Sequence, residues 1–457
     1  MNISLLLTNG VRMKRSQGLV LLFLVCCEMV VPINGWAQSL SDIGTFSFSG
    51  SANPRRMPQF LQFLPGDGLK VGRVQVHPFL GVAEVFTDNV FRANEQRQSD
   101  FLTTIAPGIQ AYLPFAGKHS FLLDYRAAQF LYAEFTPNNV LAQEGVGQVN
   151  FNFPGGLKID LQGSHVEGFD PRGSDFDIQT RDITKWRTTG FLGQARLTGT
   201  RASIQIRTLY TRLHYKNNGQ DAPRDRKNGR VELTGFLNVA QGISALLGTA
   251  ISNNTFDENK QLNSFSYGAF TGFALAPTRQ LSGEVRVGYS ILKFDRAPVG
   301  QDPNVVDDPA DPTMTDPGDR LVAKGLNLGG NEQKALTLNG TLNWTPTGRQ
   351  RVSLRAFRGI RQSAVFNAAT FVDTGFSLQG THQLTQRLSL LGQARYQNSK
   401  FSGGRTDNRW LGNVGLRYRT VEWLGFGVNY YIEKRSSNDT RFDYYSNTIA
   451  ISAEALF

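Results

Sequence analysis

Seven arginines occupy the polar positions of stretches in which every second residue is apolar. In residues 281–294, for example, Val285, Val287 and Tyr289 alternate with Glu284 and Arg286. A guanidinium group stays charged in proteins and binds carboxylates through paired hydrogen bonds, so such positions suit the binding of anions. The set comprises Arg126, Arg196, Arg207, Arg286, Arg355, Arg395 and Arg417.

Three interpretations of this basic character remain open. The arginines could pair with neighbouring carboxylates, as Asp124 beside Arg126 suggests, and stiffen a wall. They could instead create a positive field that draws anions into a pore. Basic residues in loops could bind the phosphates of lipopolysaccharide. If the alternating stretches are strands that cross a membrane, an arginine facing lipid in mid-membrane would cost about 2–4 kcal/mol. The alternation therefore predicts that all seven arginines point away from lipid, into the lumen of a barrel.

Enzyme chemistry has little support in the sequence. The five histidines are scattered, with no pair at metal-ligand spacing. His165 lies on the outward parity, where it is better interpreted as an interfacial side chain than as a catalytic one. No glycine pattern of a nucleotide site follows a strand and opens a helix. We therefore predict no catalytic residues, no metal and no cofactor.

The elements that must position the arginines are strands, and the last one is the most distinctive. One face of this strand is mainly apolar and the other mainly polar. A strand of this kind that ends in an aromatic residue resembles the closing strand of an outer-membrane β-barrel. Phe457 is accordingly predicted to be the signal that the barrel-assembly machinery recognises. The apolar face comprises Tyr445, Asn447, Ile449, Ile451, Ala453, Ala455 and Phe457.

The beginning of the chain predicts export. Arg12, Lys14 and Arg15 precede a short apolar run, and small residues follow it at a cleavage site after Ala37. Residues 1–37 are therefore predicted to be a signal peptide, and residues 38–72 a periplasmic extension. Both cysteines lie in the signal, so the mature chain would hold no thiol. No second apolar stretch long enough for a transmembrane helix follows.

Residues 73–457 are predicted to form one antiparallel, up-and-down β-barrel. Alternation and turn residues give eighteen strands, with sixteen as the alternative. The predicted strands are 76–86, 101–113, 120–135, 145–153, 157–166, 185–197, 202–215, 230–239, 244–254, 264–276, 281–294, 333–344, 351–361, 371–382, 388–399, 409–419, 424–433 and 442–457.

The connections between these strands alternate in length. Every second link is a short turn, such as residues 154–156 or 240–243, and the links between them are longer and polar. Short periplasmic turns and long extracellular loops are typical of outer-membrane barrels. Trp186, Trp344, Trp410 and Trp423 lie near predicted strand ends or in a turn, where an aromatic side chain would lie at the level of the lipid headgroups.

The longest link, residues 296–332, is rich in aspartate and proline. Such a composition predicts an extended loop. Three uses remain open for it: a solvated tether, a gate folded into the positive lumen, or a weak calcium site. The gate candidates are Asp302, Asp307, Asp308, Asp311, Asp316 and Asp319.

The net charge and the distribution of basic residues limit the binding partners that we predict. The net charge is +11, but no basic tract with stacking aromatic residues is present, so nucleic acid is not predicted as a partner. We expect contact with outer-membrane lipids and lipopolysaccharide instead.

The first predicted strand and loop resemble a known family. The run from Pro78 reads PFLGVAEVFTDNVFRANEQRQSDFLTTIAPGIQAYL, and after a short turn the chain continues FLLDYRAAQFLYAEF. These segments resemble the putative β-barrel porin 2 family of proteobacterial outer-membrane proteins. The resemblance extends from about Val74 to Phe457, and the aspartate-rich loop is not a family feature. The matching residues are Thr87, Asp88, Asn89, Val90, Phe91, Arg92, Ser99, Asp100, Ala106, Pro107 and Gly108.

The resemblance implies a link to exopolysaccharide synthesis and export, with export components as partners. The predicted function is therefore a channel in the bacterial outer membrane that passes an extracellular, acidic polysaccharide. A general anion-leaning diffusion porin is the alternative. A plugged barrel that anchors surface polysaccharide is a third.

Overall fold

The strands form one closed antiparallel barrel of eighteen strands, with one further strand outside the ring. The computed structural model describes residues 68–170, 172, 183–216, 224–276, 280–295, 332–365 and 368–457. Among these residues, no helix is long and apolar enough to cross a membrane. The predicted fold class is confirmed.

Each predicted strand corresponds to one observed strand, with ends that differ by a few residues. The strands are β1 (Leu69–Val71), β2 (Val74–Thr87), β3 (Asp100–Phe115), β4 (His119–Tyr132), β5 (Val140–Asn152), β6 (Leu157–Phe169), β7 (Lys185–Thr198), β8 (Ala202–Tyr215), β9 (Arg226–Ala240), β10 (Ile243–Phe256), β11 (Ser264–Leu275), β12 (Leu281–Phe294), β13 (Glu332–Trp344), β14 (Gln350–Val365), β15 (Ala368–Gln383), β16 (Leu388–Phe401), β17 (Thr406–Val421), β18 (Leu424–Ser437) and β19 (Tyr444–Leu456). Short 3₁₀ turns lie at Thr136–Asn138, Pro154–Gly156, Lys260–Leu262 and Thr440–Phe442.

The barrel closes between its last and first long strands. β19 pairs with β2, with Ala450 opposite Val85. The extra strand β1 pairs with β2 through Leu69 and Val76. The predicted extension, residues 38–72, therefore ends in a strand, while its residues before Gly68, the predicted signal peptide and the aspartate-rich loop lie outside the described residues.

Alternation gives the wall two faces. Successive side chains of a strand point to opposite sides, and on one side large apolar residues such as Leu354 and Leu378 are exposed. We call this the outer face and the opposite side the inner face. The closing strand follows the predicted pattern, because Ile449 and Ile451 are exposed while Ala450 and Ser452 are buried.

The two ends of the barrel have different connections. At the short-turn end, links such as Gln241–Gly242 between β9 and β10 agree with the prediction. At the opposite end, which we call the long-connection end, most links are longer. The link between β14 and β15 is an exception, because both strands continue in register to Gln362 and Thr370 and leave only residues 366–367 between them.

The part of β14 near the long-connection end separates from β13 but stays paired with β15, and it lies against the inner side of the ring. β13 pairs with β14 only from Leu338 to Trp344 among the described residues. Beyond that, Ile360 packs against the buried cluster of Phe256 and Phe294, which lies on the inner face of β10 and β12. Ile360 has the parity of the outward Leu354, so the outer face of this part of β14 lies on the inner face of its neighbours.

Hydrogen bonds hold this end of β14 in place. The Gln362 side-chain amide donates to the Leu262 carbonyl at 3.1 Å and to the Ser264 hydroxyl at 2.5 Å. The Thr370 hydroxyl donates to the Gln333 side chain at 2.6 Å, which links β15 to β13 across the displaced strand. The end of β14 therefore lies against the inner face of β10 and β12 at the long-connection end.

The main apolar core also lies inside the barrel. It covers the inner face of β18, β19 and β2–β5 near the long-connection end, with Phe169 added from the end of β6, and we call this region the apolar sector. Loop residues Val90, Phe91, Phe135 and Ile183 pack onto it. Its strand residues are Ala83, Val85, Leu102, Ala106, Ala128, Phe130, Tyr132, Val140, Ala142, Phe169, Tyr431 and Ala450.

One tryptophan departs from the predicted interfacial position. Trp344, Trp410 and Trp423 are about half exposed. Trp186 is fully buried and packs with Leu213 and Tyr215. Its parity on β7 is that of Leu192, opposite to the exposed Phe191, so it contributes to the inner face rather than to an aromatic belt.

Candidate functional site

The seven predicted arginines all lie on the inner-face parity of their strands. Each has exposed apolar neighbours in sequence on the outer face, such as Tyr125 beside Arg126 and Leu416 beside Arg417. Their surroundings differ, however. Some guanidinium groups are held against carboxylates of the wall, and others are exposed.

Arg126 is held by the wall. Its Nε and Nη2 donate to the buried Asp124 carboxylate at 2.7 and 2.9 Å, and Gln110 donates to the same carboxylate at 3.0 Å. The guanidinium also lies 5.6 Å from the centre of the Phe79 ring. This arrangement matches the interpretation in which an arginine stiffens the wall.

Arg286 reaches across two strands to a carboxylate. Its Nη1 donates to Glu232 on β9 at 2.5 Å, and its Nε donates to Glu284 on its own strand. Glycines on the intervening strands leave room for this span. A Cβ atom at Gly272 would lie 1.9 Å from the Val285 carbonyl oxygen, so no side chain fits there.

Arg417 forms a similar span on the other side of the ring. Its Nη2 donates to Glu454 on β19 at 2.7 Å. The intervening strand β18 presents Gly427 opposite Arg417 and Gly425 opposite Glu454. The long side chain can cross β18 because these two positions carry no side chain.

Arg196 and Arg207 are intermediate between the arginines held by carboxylates and the exposed ones. The Arg196 guanidinium lies 4.7 Å from the centre of the Phe236 ring, at the distance of a cation–π contact. Arg207 lies opposite Glu232, the carboxylate that Arg286 binds. The carboxylate of Glu232 therefore serves a group of cations that also includes Arg230, whose Nη2 donates to it at 3.0 Å.

Arg355 and Arg395 form a row with Ser377 between them. Arg355 on β14 and Arg395 on β16 both lie directly opposite Ser377 on β15. Adjacent strands lie about 4.8 Å apart, so the two arginine Cα atoms are about 10 Å apart. Both arginines are exposed. We call Arg355, Ser377 and Arg395 the arginine row.

The arginine row is part of a wider polar surface. Thr341 on β13 lies opposite Arg355 and extends the row toward Glu284 on β12. Amides and hydroxyls of the same parity surround it, and the Arg395 Nη2 donates to one of them, Gln397, at 2.8 Å. We call the inner face of β13–β16 the polar sector. Its polar residues around the row include Asn339, Asn343, Ser353, Gln379, Thr381 and Gln393.

Three of the residues that suggested a family resemblance connect the first loop to the closing strand at the barrel seam. We call Asp88, Asn89 and Arg92 the seam lock. The Asp88 carboxylate accepts hydrogen bonds from the backbone and side-chain amides of Asn447, both at 2.7 Å. The buried Asn89 side chain donates to the Ala93 and Tyr445 carbonyls. Arg92 donates to the Ser446 hydroxyl at 2.7 Å. The first loop is thereby fastened to the closing strand, a role that sequence analysis did not assign to it.

The remaining predicted residues lie elsewhere. The six aspartates of the long loop, Asp302 to Asp319, lie outside the described residues. His165 lies on the outer face and shares a hydrogen bond with the Thr189 hydroxyl at 3.0 Å. The Phe457 ring stacks on Trp423 at 5.6 Å, and its backbone amide donates to the Pro78 carbonyl at 3.0 Å. In the described part of the chain, no group of three potential metal ligands occurs.

Comparison with protein families decides the classification. The model described as "Putative beta-barrel porin 2" matches residues 65–301 and 331–457. The chain belongs to this family. It is therefore an outer-membrane β-barrel of the porin type, and the family resemblance seen in the sequence is confirmed. The match begins at residue 65 rather than near Val74, and it leaves out residues 302–330, in agreement with the prediction that the aspartate-rich loop is not a family feature.

Three solved outer-membrane proteins are among the structures similar to this chain. OpdK from Pseudomonas aeruginosa is 9% identical, with 84% of this chain and 99% of that chain covered and a TM-score of 0.42. OccK8 (OprE) from Pseudomonas aeruginosa is 11% identical, with 84% and 98% covered and a TM-score of 0.43. OmpT of Vibrio cholerae, with loop L8 deleted, is 9% identical, with 84% and 99% covered and a TM-score of 0.39. A comparison with curated proteins finds no match.

Proposed function

We propose that the protein is a channel that passes an acidic extracellular polysaccharide, with the polar sector as the surface along which the polymer moves. The arginine row is the observation that carries this proposal. It places two exposed arginines on one face, with their Cα atoms about 10 Å apart and a serine between them. Guanidinium groups bind carboxylates in a planar, bidentate geometry, which suits the uronic acids of acidic polysaccharides.

The residues around the row suit the rest of a sugar chain. Asn339, Gln379 and Gln393 offer amide donors and acceptors, and Thr341 offers a hydroxyl. Phe357 shares the parity of Arg355 and adds an apolar ring to the surface. A polymer with carboxylates, hydroxyls and apolar ring faces would therefore find partners for each of its groups.

The exposure of the arginine row favours passage over retention. Ion pairs between exposed groups contribute about 0–1 kcal/mol, because water screens them. Each contact would therefore be weak, and a polymer could exchange one contact for the next.

A general anion-leaning diffusion porin is the second candidate. The wall pairs of Arg126, Arg286 and Arg417 favour it, because their charges are partly neutralised by Asp124, Glu232 and Glu454. In that case the inner face would supply only a moderate positive field for small anions. Acidic polymers would then have no advantage over small anions.

A plugged barrel that anchors surface polysaccharide is the third. The apolar sector and the inward end of β14 support it, because both occupy part of the lumen. In each case we expect the barrel-assembly machinery and, for the first candidate, polysaccharide export components to be partners in a bacterial outer membrane.

Conductance in planar lipid bilayers tests these candidates. We expect the protein to conduct anions better than cations, and oligogalacturonates to block the current more strongly than neutral oligosaccharides of equal length. Raising the salt concentration should weaken the block, since the Debye length falls from about 10 Å at 0.1 M to about 3 Å at 1 M. The double variant Arg355→Gln/Arg395→Gln should reduce both the selectivity and the block.

Arg358→Gln is the matched control. Arg358 lies on the same strand as Arg355 but on the outer face, where its Nη1 donates to the Thr374 hydroxyl. This variant should retain both properties. Anion selectivity without preferential block by the acidic oligosaccharides would support the diffusion porin, and the absence of current in every variant would support the plugged barrel.

A further inference from the structure

The outer face of β6–β9 becomes basic at the long-connection end. Below this level the outward residues are apolar, such as Phe191 on β7 and Tyr210 on β8. Beyond them the outward positions carry polar and cationic side chains. We call the following residues the basic patch: His165, Lys185, Arg187, Arg212, His214, Lys216 and Lys227.

Strand register brings these side chains together. Arg187 lies opposite His214, and Arg212 lies directly opposite Lys227. Side chains directly opposite each other on adjacent strands have Cβ atoms about 4.5–5.5 Å apart, and like charges at that distance destabilise a sheet. Such an arrangement favours the presence of anions above it.

The carboxylates of this region offset only part of the charge. Glu167 accepts from the Lys216 Nζ at 2.7 Å, and Asp257 lies 3.3 Å from the Lys227 Nζ and 3.9 Å from the Arg212 Nη2. The buried Asp225 accepts from His214. Among the residues that the structure describes here, the five lysines and arginines therefore outnumber the neighbouring carboxylates.

The adjacent strands β2–β5 have no such cations on their outer face. On β2–β5 the outward residues nearest the long-connection end are Phe86, Phe101, Leu131 and Leu141. No lysine or arginine occupies an outward position on these four strands. The five outward lysines and arginines of β6–β9 are therefore a denser group than those of β12–β14, where the outward cations are Lys293, Lys334 and Arg358.

We infer that the basic patch binds the phosphate groups of a glycolipid in the outer leaflet. It lies where the apolar band of the barrel ends, which is the level of lipid headgroups in a membrane. Lysine and arginine bind phosphate through charge-assisted hydrogen bonds. Acyl chains of the same lipid would lie against Phe191 and Tyr210 below. This inference is independent of what passes through the lumen.

Native mass spectrometry of the detergent-purified protein tests it with diphosphoryl lipid A as the probe. We expect the wild type to retain this lipid. The triple variant Arg187→Gln/Arg212→Gln/Lys227→Gln should retain at least about tenfold less of it, because three charge-assisted contacts are lost. The triple variant Lys293→Gln/Lys334→Gln/Arg358→Gln, which removes three outward cations from β12–β14, should bind like the wild type.

Three further measurements distinguish the source of the phosphate and confirm folding. The same lipid without its phosphates should be retained about tenfold less, and neither inorganic phosphate nor phosphatidylglycerol should displace the diphosphoryl form. Heat-modifiable migration should show that both triple variants form barrels. Equal retention of the dephosphorylated lipid, equal loss in both triple variants, or displacement by phosphatidylglycerol would overturn the inference.

Discussion

The apolar sector and the polar sector are built from the same kind of strand but present opposite chemistry to the lumen. On the apolar sector, Leu102, Phe130 and Val85 are almost completely buried beneath loop residues. On the polar sector, Asn339, Arg355 and Arg395 are exposed. The first packs like the core of a soluble protein, and the second remains open to water.

This difference indicates that one side of the lumen stabilises the barrel and the other side contacts solute. The outer face packs against lipid and not against other parts of the chain. The apolar cluster inside the barrel spans the seam and can therefore hold the first and last strands together. The polar sector lies away from the seam, where weakly packed polar side chains cost little stability. The seam lock of Asp88, Asn89 and Arg92 strengthens the same side.

The largest effect should follow from the last residue. Phe457→Ser removes the terminal ring that stacks on Trp423 and that is predicted to be read during assembly. We expect most of the protein to remain unassembled and to be degraded in the periplasm, as measured by heat-modifiable band intensity in outer-membrane fractions. Phe273→Ser changes an exposed outer-face phenylalanine away from the seam and should assemble well. Normal assembly of Phe457→Ser would contradict the assembly-signal hypothesis.

The next largest effect, on the free energy of unfolding, should distinguish two phenylalanines of the inner face. Phe130→Ala should lower the free energy of unfolding by about 3–5 kcal/mol, because it leaves a cavity in the apolar sector. Phe357→Ala on the polar sector should cost clearly less, since Phe357 is only half-buried. Urea unfolding in detergent micelles, followed by tryptophan fluorescence, measures both values. Equal losses at the two sites would remove the distinction between the sectors.

A smaller effect should come from the inward end of β14. Ile360→Ala weakens the contact with Phe256 and Phe294 and should cost about 1 kcal/mol, as expected for a half-buried side chain. The end of β14 would then be released from the inner face of β10 and β12, and the single-channel conductance should rise. Ile251→Ala, on the exposed outer face of β10, provides the control and should leave the conductance unchanged. An unchanged conductance in Ile360→Ala would show that this end does not narrow the pore.

The sequence predicted the strands well, because strands depend on local alternation. The partners of the arginines depend on register across several strands. The pair of Arg417 and Glu454 becomes visible only when Gly425 and Gly427 are placed between them. Trp186 shares the parity of the inward Leu192, a signal that could have corrected its predicted interfacial position.

The inward end of β14 had only a weak local signal. Ile360 has the parity of Leu354, but Arg358 and Gln362 place polar side chains at the same lipid-facing parity. The contacts of Ile360 and Gln362 with β10–β12 join segments about a hundred residues apart, as the Gln362 hydrogen bond to the Leu262 carbonyl shows. A pattern with a period of two residues holds no information about such a contact.

The smallest change in stability, with a large change in selectivity, should come from the centre of the arginine row. Ser377→Asp places a carboxylate opposite both Arg355 and Arg395. Stability should change by less than about 1 kcal/mol, because exposed ion pairs contribute little. The new charge should neutralise much of the local field, so the anion preference in planar bilayers and the block by acidic oligosaccharides should both fall. Ser377→Asn has nearly the same shape without the charge and should leave both properties close to those of the wild type. If the two variants behave alike, the polar sector acts through shape rather than charge, and the proposed role of the arginine row is wrong.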